Sequence, residues 1–521
     1  MILDEVAATQ QIGFPILTIL TFLPIVGAVA LWLFQKDEDL IRKSALAVAG
    51  LELFISVLLM WNFTPNSAQI QFSERADWIP AIGVGYHMGV DGINVLFIPL
   101  TAFLIFLIMV YSWDTERNLL KPYLMALLGL EGTIVGVFAS LDLILFFFFW
   151  ELMLVPSYFL IKLWGTGPNR QYAALKYVLY TLTGSVLMLV GMVLLNLNYH
   201  AAAVASRTEP LYSFDFIDLL NVPVPPEKQA LIFFLMFFGF AFKAPVFPFH
   251  TWLPTALVEG PIVMSVLLAG VKLGTFGFIR FTIPLLPEAS KEWFWLMAGL
   301  GLVAIIYGAL IALVQTDFRR LLAYSSISHL GFVMLGLFAL NFQGLQGSLL
   351  QMINLGFSTA GLFFMAGFLY NRTGSADLSA YGGLARHVPL LATFTLVLGL
   401  ASIGLPGTNG FIGEFLILLG AFRAHWALAA IGVLGVILGA AYFLWYYERA
   451  FFGPMTHEPK RPLHDLRPRE WGIAVALCVM VLWIGLYPAP FLNMINGSVQ
   501  ALADRVQQGS VVQAVKAGKH P

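Results

Sequence analysis

Apolar runs of about twenty residues recur from one end of this chain to the other, each with few charges or none. A helix of that length crosses roughly 30 Å of hydrocarbon, so each run is a candidate membrane span. Fourteen spans are expected on this criterion. Spans 1–7 are Phe14–Phe34, Ser44–Trp61, Asn94–Trp113, Tyr123–Ser140, Leu143–Lys162, Tyr172–Leu197 and Ala230–Phe249. Spans 8–14 are Val263–Phe281, Trp293–Val314, Leu321–Leu340, Ser348–Tyr370, Pro389–Ala421, Trp426–Phe451 and Trp471–Tyr487. Composition agrees, with 59% of 521 residues hydrophobic and 11% charged, against about 25% charged in a soluble domain. The expected fold class is all-α, a polytopic membrane protein of about fourteen helices set in a lipid bilayer.

The start, Met1-Ile-Leu-Asp4-Glu5, lacks the basic opening and cleavage site of a signal peptide, so the first run is expected to remain as a helix. A net charge of −1 makes no case for nucleic acid as a partner. One cysteine, Cys478, excludes disulfides and cysteine-ligated clusters within the chain.

Proline and charge mark the irregular spans. Span 7 contains Lys243-Ala-Pro245-Val-Phe-Pro248-Phe-His250, and span 12 contains Gly404-Leu-Pro406-Gly407-Thr-Asn-Gly410. Proline lacks an N–H and clashes with the preceding turn, so helices 7 and 12 are expected to be broken, the second into two half-helices. Spans 4–8 and 9–13 can be set against each other. The interval from Glu151 to Lys243 is close to that from His329 to Glu414, and each pair joins the second helix of its group to the fourth, broken one. Two groups of five helices in succession must lie inverted, and paired broken helices in inverted halves point to an ion path.

The expected organisation is 1–122 (three helices and an extramembrane hairpin within Phe63–Gly92), 123–283 (first five-helix repeat) and 293–451 (second repeat). The remainder, 452–521, holds helix 14, a short surface helix from Leu492 and a frayed tail. Loops and helix ends after odd-numbered spans hold 16 Lys and Arg, including Lys36, Arg117, Arg319, Arg320, Lys460 and Arg461, against 8 on the other side. The positive-inside rule then puts both termini on the non-cytoplasmic side.

A charge at the centre of a membrane helix costs about 2.5–3.5 kcal/mol on insertion scales, so such residues usually have a partner or a task. Glu131, Glu151, Lys243 and Glu414 lie well inside spans, with Lys272 and His329 as further members. Burial disfavours charge and a nearby opposite charge favours it, so a Glu151–Lys243 pair that tightens and loosens decides whether the lysine holds its proton. Unwound backbone at membrane depth lines water or packs in protein. Wet pockets are therefore expected beside Lys243 and Glu414, with Lys272 and His329 relaying protons between them.

Plainer readings stand beside these. Glu151 with Lys243 as a static ion pair, Glu131 as an interhelical hydrogen-bonder and His329 as a structural histidine all fit the pattern. Asp142, at the start of span 5, reads as an N-terminal cap before a proton carrier. His250 reads as a gate, a relay or a helix-end contact, while Lys176 and Arg280 read as side chains reaching the interface. No nucleotide-binding loop, dinucleotide glycine fingerprint or metal-ligand cluster is present in the sequence, so no cofactor or metal is expected in this chain, and its energy is expected from an ion gradient or a partner.

Several of these runs resemble a known family. Ser140-Leu-Asp142 through Phe149-Trp-Glu151-Leu-Met-Leu-Val-Pro156 is similar to the fifth helix of the antiporter-like subunits of respiratory complex I. Phe242-Lys243-Ala-Pro245 with His250-Thr-Trp252-Leu-Pro254, Ser325-Ser-Ile-Ser-His329-Leu-Gly, and Gly404-Leu-Pro406-Gly407 with Gly410-Phe-Ile-Gly-Glu414 resemble later helices of the same subunits. Glutamate rather than lysine at 414 resembles one branch of that family. The resemblance implies a proton-translocating subunit of a complex I-type NADH (or ferredoxin):quinone oxidoreductase, beside homologous membrane subunits, with flavin, iron–sulfur clusters and quinone in those partners.

It also implies that Glu151 and Lys243 form the coupling pair, that Lys272 and His329 belong to a central hydrophilic axis, and that Glu414 ends the channel. Glu131 and Asp142 resemble further acidic positions. A bacterial plasma membrane is the expected location, with thylakoid or mitochondrial inner membrane as alternatives. The alternative functions are a subunit of a multisubunit cation/proton antiporter or membrane-bound hydrogenase, a solute carrier, and a structural scaffold.

Overall fold

A computed structural model describes residues 4–34, 37–115, 118–454 and 463–516. Lys36, Arg117, Lys460 and Arg461, four of the charges that orient the chain, lie outside the described residues, as do residues 517–521 of the expected tail. Among the described residues, 12 helices are long and apolar enough to cross a membrane. They correspond to the expected spans other than 7 and 12, which are the two that proline interrupts.

In span 7 the helix Pro226–Lys243 ends on the lysine itself, and a second helix, Trp252–Glu259, comes after an irregular link. Pro245 and Pro248 cannot donate to the turn before them. The indole Nε1–H of Trp252 donates instead to the freed carbonyl of Phe242 at 2.7 Å. Span 12 divides into Pro389–Ser402 and Asn409–Ala424. Its link turns through Gly404 (φ +73°) and Gly407 (φ +90°), a left-handed backbone that side chains rarely adopt.

Span 8 departs from expectation. Instead of one helix it has Ile262–Gly270, an extended step at Val271 (φ −101°, ψ 115°), then Leu273–Gly277 and a π turn, Phe278–Thr282. No proline marks the break. Two weak helix formers, Gly270 and Gly274, flank it, and Gly274 packs so tightly on the span 7 link that a Cβ there would stand 2.4 Å from the Ala244 nitrogen. Two breaks therefore meet, and Lys272 sits in the gap.

Outside the spans, β2 (Ile70–Ile79) and β3 (Val84–Val90) form the expected hairpin, and β1 (Glu5–Ala7) adds a parallel strand to give the order β1-β2-β3. The C-terminal surface helix is longer than expected, Ala489–Lys516. At the centre lies the 32-residue helix Phe342–Thr373, whose most apolar stretch is 100% buried. Glu38–Asn62 at the periphery is 28% buried on the same measure.

Candidate functional site

Lys243 is 8% exposed although it stands at a helix end. Its Nζ donates to the Trp150 carbonyl at 3.2 Å, lies 3.0 Å from the Met153 sulfur, and sits 3.9 Å from the centre of the Trp150 ring. Glu151 occupies the intervening turn, with Oε1 buried and without a hydrogen-bond partner. Its carboxyl is near enough to act electrostatically on Lys243. No direct Glu151–Lys243 ion pair is present among the described residues. The two are neighbours held apart, with the ammonium resting on backbone, sulfur and indole.

Beside Lys243 lies a cavity with ≈ 40 Å³ of room for water centres, bordered by Ser157, Tyr177, Lys243, Lys272, Thr275 and Leu330. One water needs about 10–15 Å³ by that measure. Both lysines therefore border one space large enough for water, and the buried Tyr177 hydroxyl has no hydrogen-bond partner.

Leu330 leads to the second cluster. His329 is 3% exposed, with Nε2 3.2 Å from the Ser402 hydroxyl and Nδ1 3.3 Å from Glu414 Oε1. The second contact is close enough for an ion pair, but its direction is not that of a hydrogen bond, so Nδ1 lacks a hydrogen-bond partner. Glu414 Oε1 also accepts from Gln351 at 3.4 Å, and Gln351 Oε1 accepts from Asn354 at 3.2 Å. Asn354 and Asn409 exchange bonds with each other's carbonyls at 2.7 and 3.1 Å. This pins the start of the second half of span 12 to the central helix. A Cβ at Gly404 would meet Glu414 Oε2 at 2.6 Å, so the unwound link and the acid share one space.

The remaining expected residues separate. Asp142 is the N-cap, accepting from the N–H groups of Ile144 and Leu145, and it also accepts from Gly85 of β3. Burial pushes its carboxyl up to about 6. Buried His250 lies against Phe247 and Tyr307, with Nδ1 unpartnered. Glu131 is wholly buried, and neither of its oxygens has a partner, so the interhelical hydrogen bond is not formed.

One reading is corrected. Arg280 does not reach the headgroups. It is buried on the π turn and clasps Asp91 through two bonds of 2.7 and 3.1 Å. Its polar partner, far away in the sequence, outweighs the pull of the interface. Lys176 is half-buried, and its Nζ donates to the exposed Thr251 carbonyl at 2.9 Å.

Sequence reasoning also passed over Glu52, wholly buried with both oxygens unpartnered and within electrostatic reach of Glu131. The run Leu51-Glu52-Leu53 carried the same signal as Glu131. Arg319, taken only as a loop charge, is buried and donates to Thr166 Oγ1 at 2.8 Å and to the Leu257 and Gly260 carbonyls at 2.6 Å each.

Buried ionisable side chains of this helical membrane protein thus gather at three broken helices, with Lys243 at span 7, Lys272 at span 8 and Glu414 at span 12. Residues 140–439 match the family model described as NADH:quinone oxidoreductase/Mrp antiporter, TM. NADH-quinone oxidoreductase subunit M of Rickettsia prowazekii is 39% identical, over 94% of this chain and 99% of that protein. The same subunit of Rhodobacter capsulatus is 39% identical, over 96% and 99%. A chain of respiratory complex I from Thermus thermophilus superposes with a TM-score of 0.84 at 34% identity, covering 94% of this chain and 99% of that one. The chain belongs to the NADH-quinone oxidoreductase subunit M family of antiporter-like membrane subunits.

Proposed function

We propose that this chain carries protons across the membrane as a non-redox subunit of an NADH:quinone oxidoreductase assembly. Electron transfer takes place in partner subunits that hold the flavin, iron–sulfur clusters and quinone, beside homologous membrane subunits. Lys243 binds the proton, Glu151 governs how firmly it is held, Lys272 and His329 pass it on, and Glu414 releases it. Asp142 fixes the helix end that carries Glu151, while Glu131 and His250 flank the path.

One observation carries this reading: two lysine side chains border a single buried, water-sized cavity. Replacing buried ionic groups with apolar ones is often neutral or stabilising, so packing alone gives no reason for two amines there. The inverted repeats of 123–283 and 293–451 have support as well. Asp142 pairs with Asp215 in an isolated bridge, and Asp317 pairs with Asp377 in another, each joining a helix cap to a later loop. With alternate crossings these two bridges fall on opposite faces. The plasma membrane of a bacterium, with both termini outside, completes the proposal.

The test is proton pumping by the reconstituted assembly with Lys243→Ala, Glu151→Ala and Glu414→Ala, and assembly checked on a native gel. Each variant is expected to lower protons moved per NADH oxidised. Three assembled variants that pump normally would remove the proposal.

A further inference from the structure

Helix Trp426–Phe451 carries two buried tyrosines at helical spacing, Tyr442 and Tyr446, which therefore share one face. The Tyr442 hydroxyl is 2.6 Å from Ser325 Oγ, and Ser325 lies one turn from His329 on Phe318–Leu337. Tyr442 is also within electrostatic reach of Glu414. Tyr446 stacks on Phe318 at 4.5 Å, and its hydroxyl is buried with no hydrogen-bond partner. The charged groups acting on it are Asp317 and Asp377, with Tyr381 beside them. Asp377 and Tyr381 line a surface groove of ≈ 680 Å³ with Thr316, Glu448 and Arg449.

We propose that Tyr446, Tyr442 and Ser325 form a proton route between this arginine-bearing groove and the His329–Glu414 cluster. The proposal rests on the proton-carrying function and adds to it a mouth and three carriers for uptake. The groove follows odd-numbered spans and so lies on the cytoplasmic side in the proposed orientation, opposite to the face on which Glu414 releases the proton. A tyrosine or serine hydroxyl both donates and accepts. Each carrier passes on its own proton as it takes another, so no charge is left behind and no group is oxidised or reduced. Tyr446 and Tyr442 are separated by one helical turn, about 5.4 Å along the axis, and the route requires a rotating hydroxyl and one water to bridge that step. The unpartnered Tyr446 hydroxyl is the movable link, while Tyr442 and Ser325 form the fixed inner end.

A purely structural role makes a different forecast. Phenylalanine fills the same space, and removing an unpaired buried hydroxyl is neutral or stabilising. The experiment uses the whole assembly in sealed vesicles and reads protons moved per NADH oxidised for Tyr446→Phe, Tyr442→Phe and Glu414→Gln. Both phenylalanine variants are expected to fall to the level of Glu414→Gln with assembly unchanged, and Tyr446→Phe, which removes the unpaired hydroxyl, also with its melting temperature unchanged. Wild-type ratios in both, with Glu414→Gln lowered, overturn the route and leave the function standing. A wild-type ratio in Glu414→Gln as well removes the function with it. If a phenylalanine variant fails to assemble, Ser325→Ala leaves both rings in place and decides by the same ratio, a loss supporting the route and no loss overturning it.

Discussion

At the scale of single residues, the arrangement around Lys243 separates attraction from contact. Glu151 acts on the ammonium without touching it, while Trp150, the next residue, supplies the carbonyl and ring on which it rests. Glu151→Gln is therefore expected to leave the fold intact and to impair pumping, seen as unchanged melting with a lower proton-to-NADH ratio. Arg280 and Asp91 behave differently because both ends of the pair are buried and bonded. Losing one partner of a buried pair costs about 3–5 kcal/mol, whereas an apolar replacement of both is far milder. Asp91→Ala is thus expected to melt well below wild type, and the double replacement Asp91→Leu with Arg280→Met to recover most of the loss. The sequence revealed that Lys243 and Glu414 were costly to bury, because each interrupts an apolar run. It did not reveal the partner of Arg280, since that pairing spans two distant segments and leaves no local pattern.

At the scale of elements, proline-broken helices were legible and the glycine-flanked break was not. Pro245, Pro248 and Pro406 forbid a donor wherever they stand. Val271 leaves the helix beside Gly274, on which the span 7 link packs closely, and that tertiary contact leaves no mark at position 271. The span 12 link offers a direct test. Gly404→Ala places a methyl 2.6 Å from Glu414 on a positive-φ backbone, so pumping is expected to fall as in Glu414→Gln, read on the same vesicles.

The small sheet carries a pH dependence of its own. His87 bonds Asp215 at 2.5 Å and lies 3.4 Å from Glu5 on β1, which Arg75 also clasps. Burial works against the charge on His87, yet Asp215 and Glu5 hold its proton affinity above the ordinary value of 6.5. Burial likewise works against the charge on Glu5, but bonds from His87 and Arg75 bring its carboxyl down from 4.5 to about 2. The histidine contribution is full below 6.5 and is lost as pH rises through its raised value. The Glu5 contribution is full above 4.5 and is lost as pH falls toward about 2. Hydrogen-exchange protection of β1 is expected to fade in the wild type as pH rises through the raised His87 value and to lose that dependence in His87→Gln.

At the scale of the whole molecule, Arg319 joins parts that the chain order keeps distant. From the helix that carries His329 it reaches the carbonyl end of Trp252–Glu259, just beyond the broken span 7. Arg319→Gln leaves those buried carbonyls short of a donor, at about 1–3 kcal/mol for each group, and a lower melting temperature of the assembly is the expected reading. The existence of a bundle of long membrane helices could be read from hydropathy. Which helices lie outermost could not, because a stretch facing lipid and one facing other helices are equally greasy. The central helix Phe342–Thr373 reads as one more span, yet protein encloses its most apolar stretch on every side. It holds Gln351, Asn354 and Ser358 along its buried length, and its neighbours come from both earlier and later in the chain. A nascent chain that has just released this segment from the ribosome has not yet made Asn409 or Glu414. Until the rest of the polypeptide arrives, Gln351 and Asn354 lack their partners in span 12, which makes the order of synthesis part of how the protein is built.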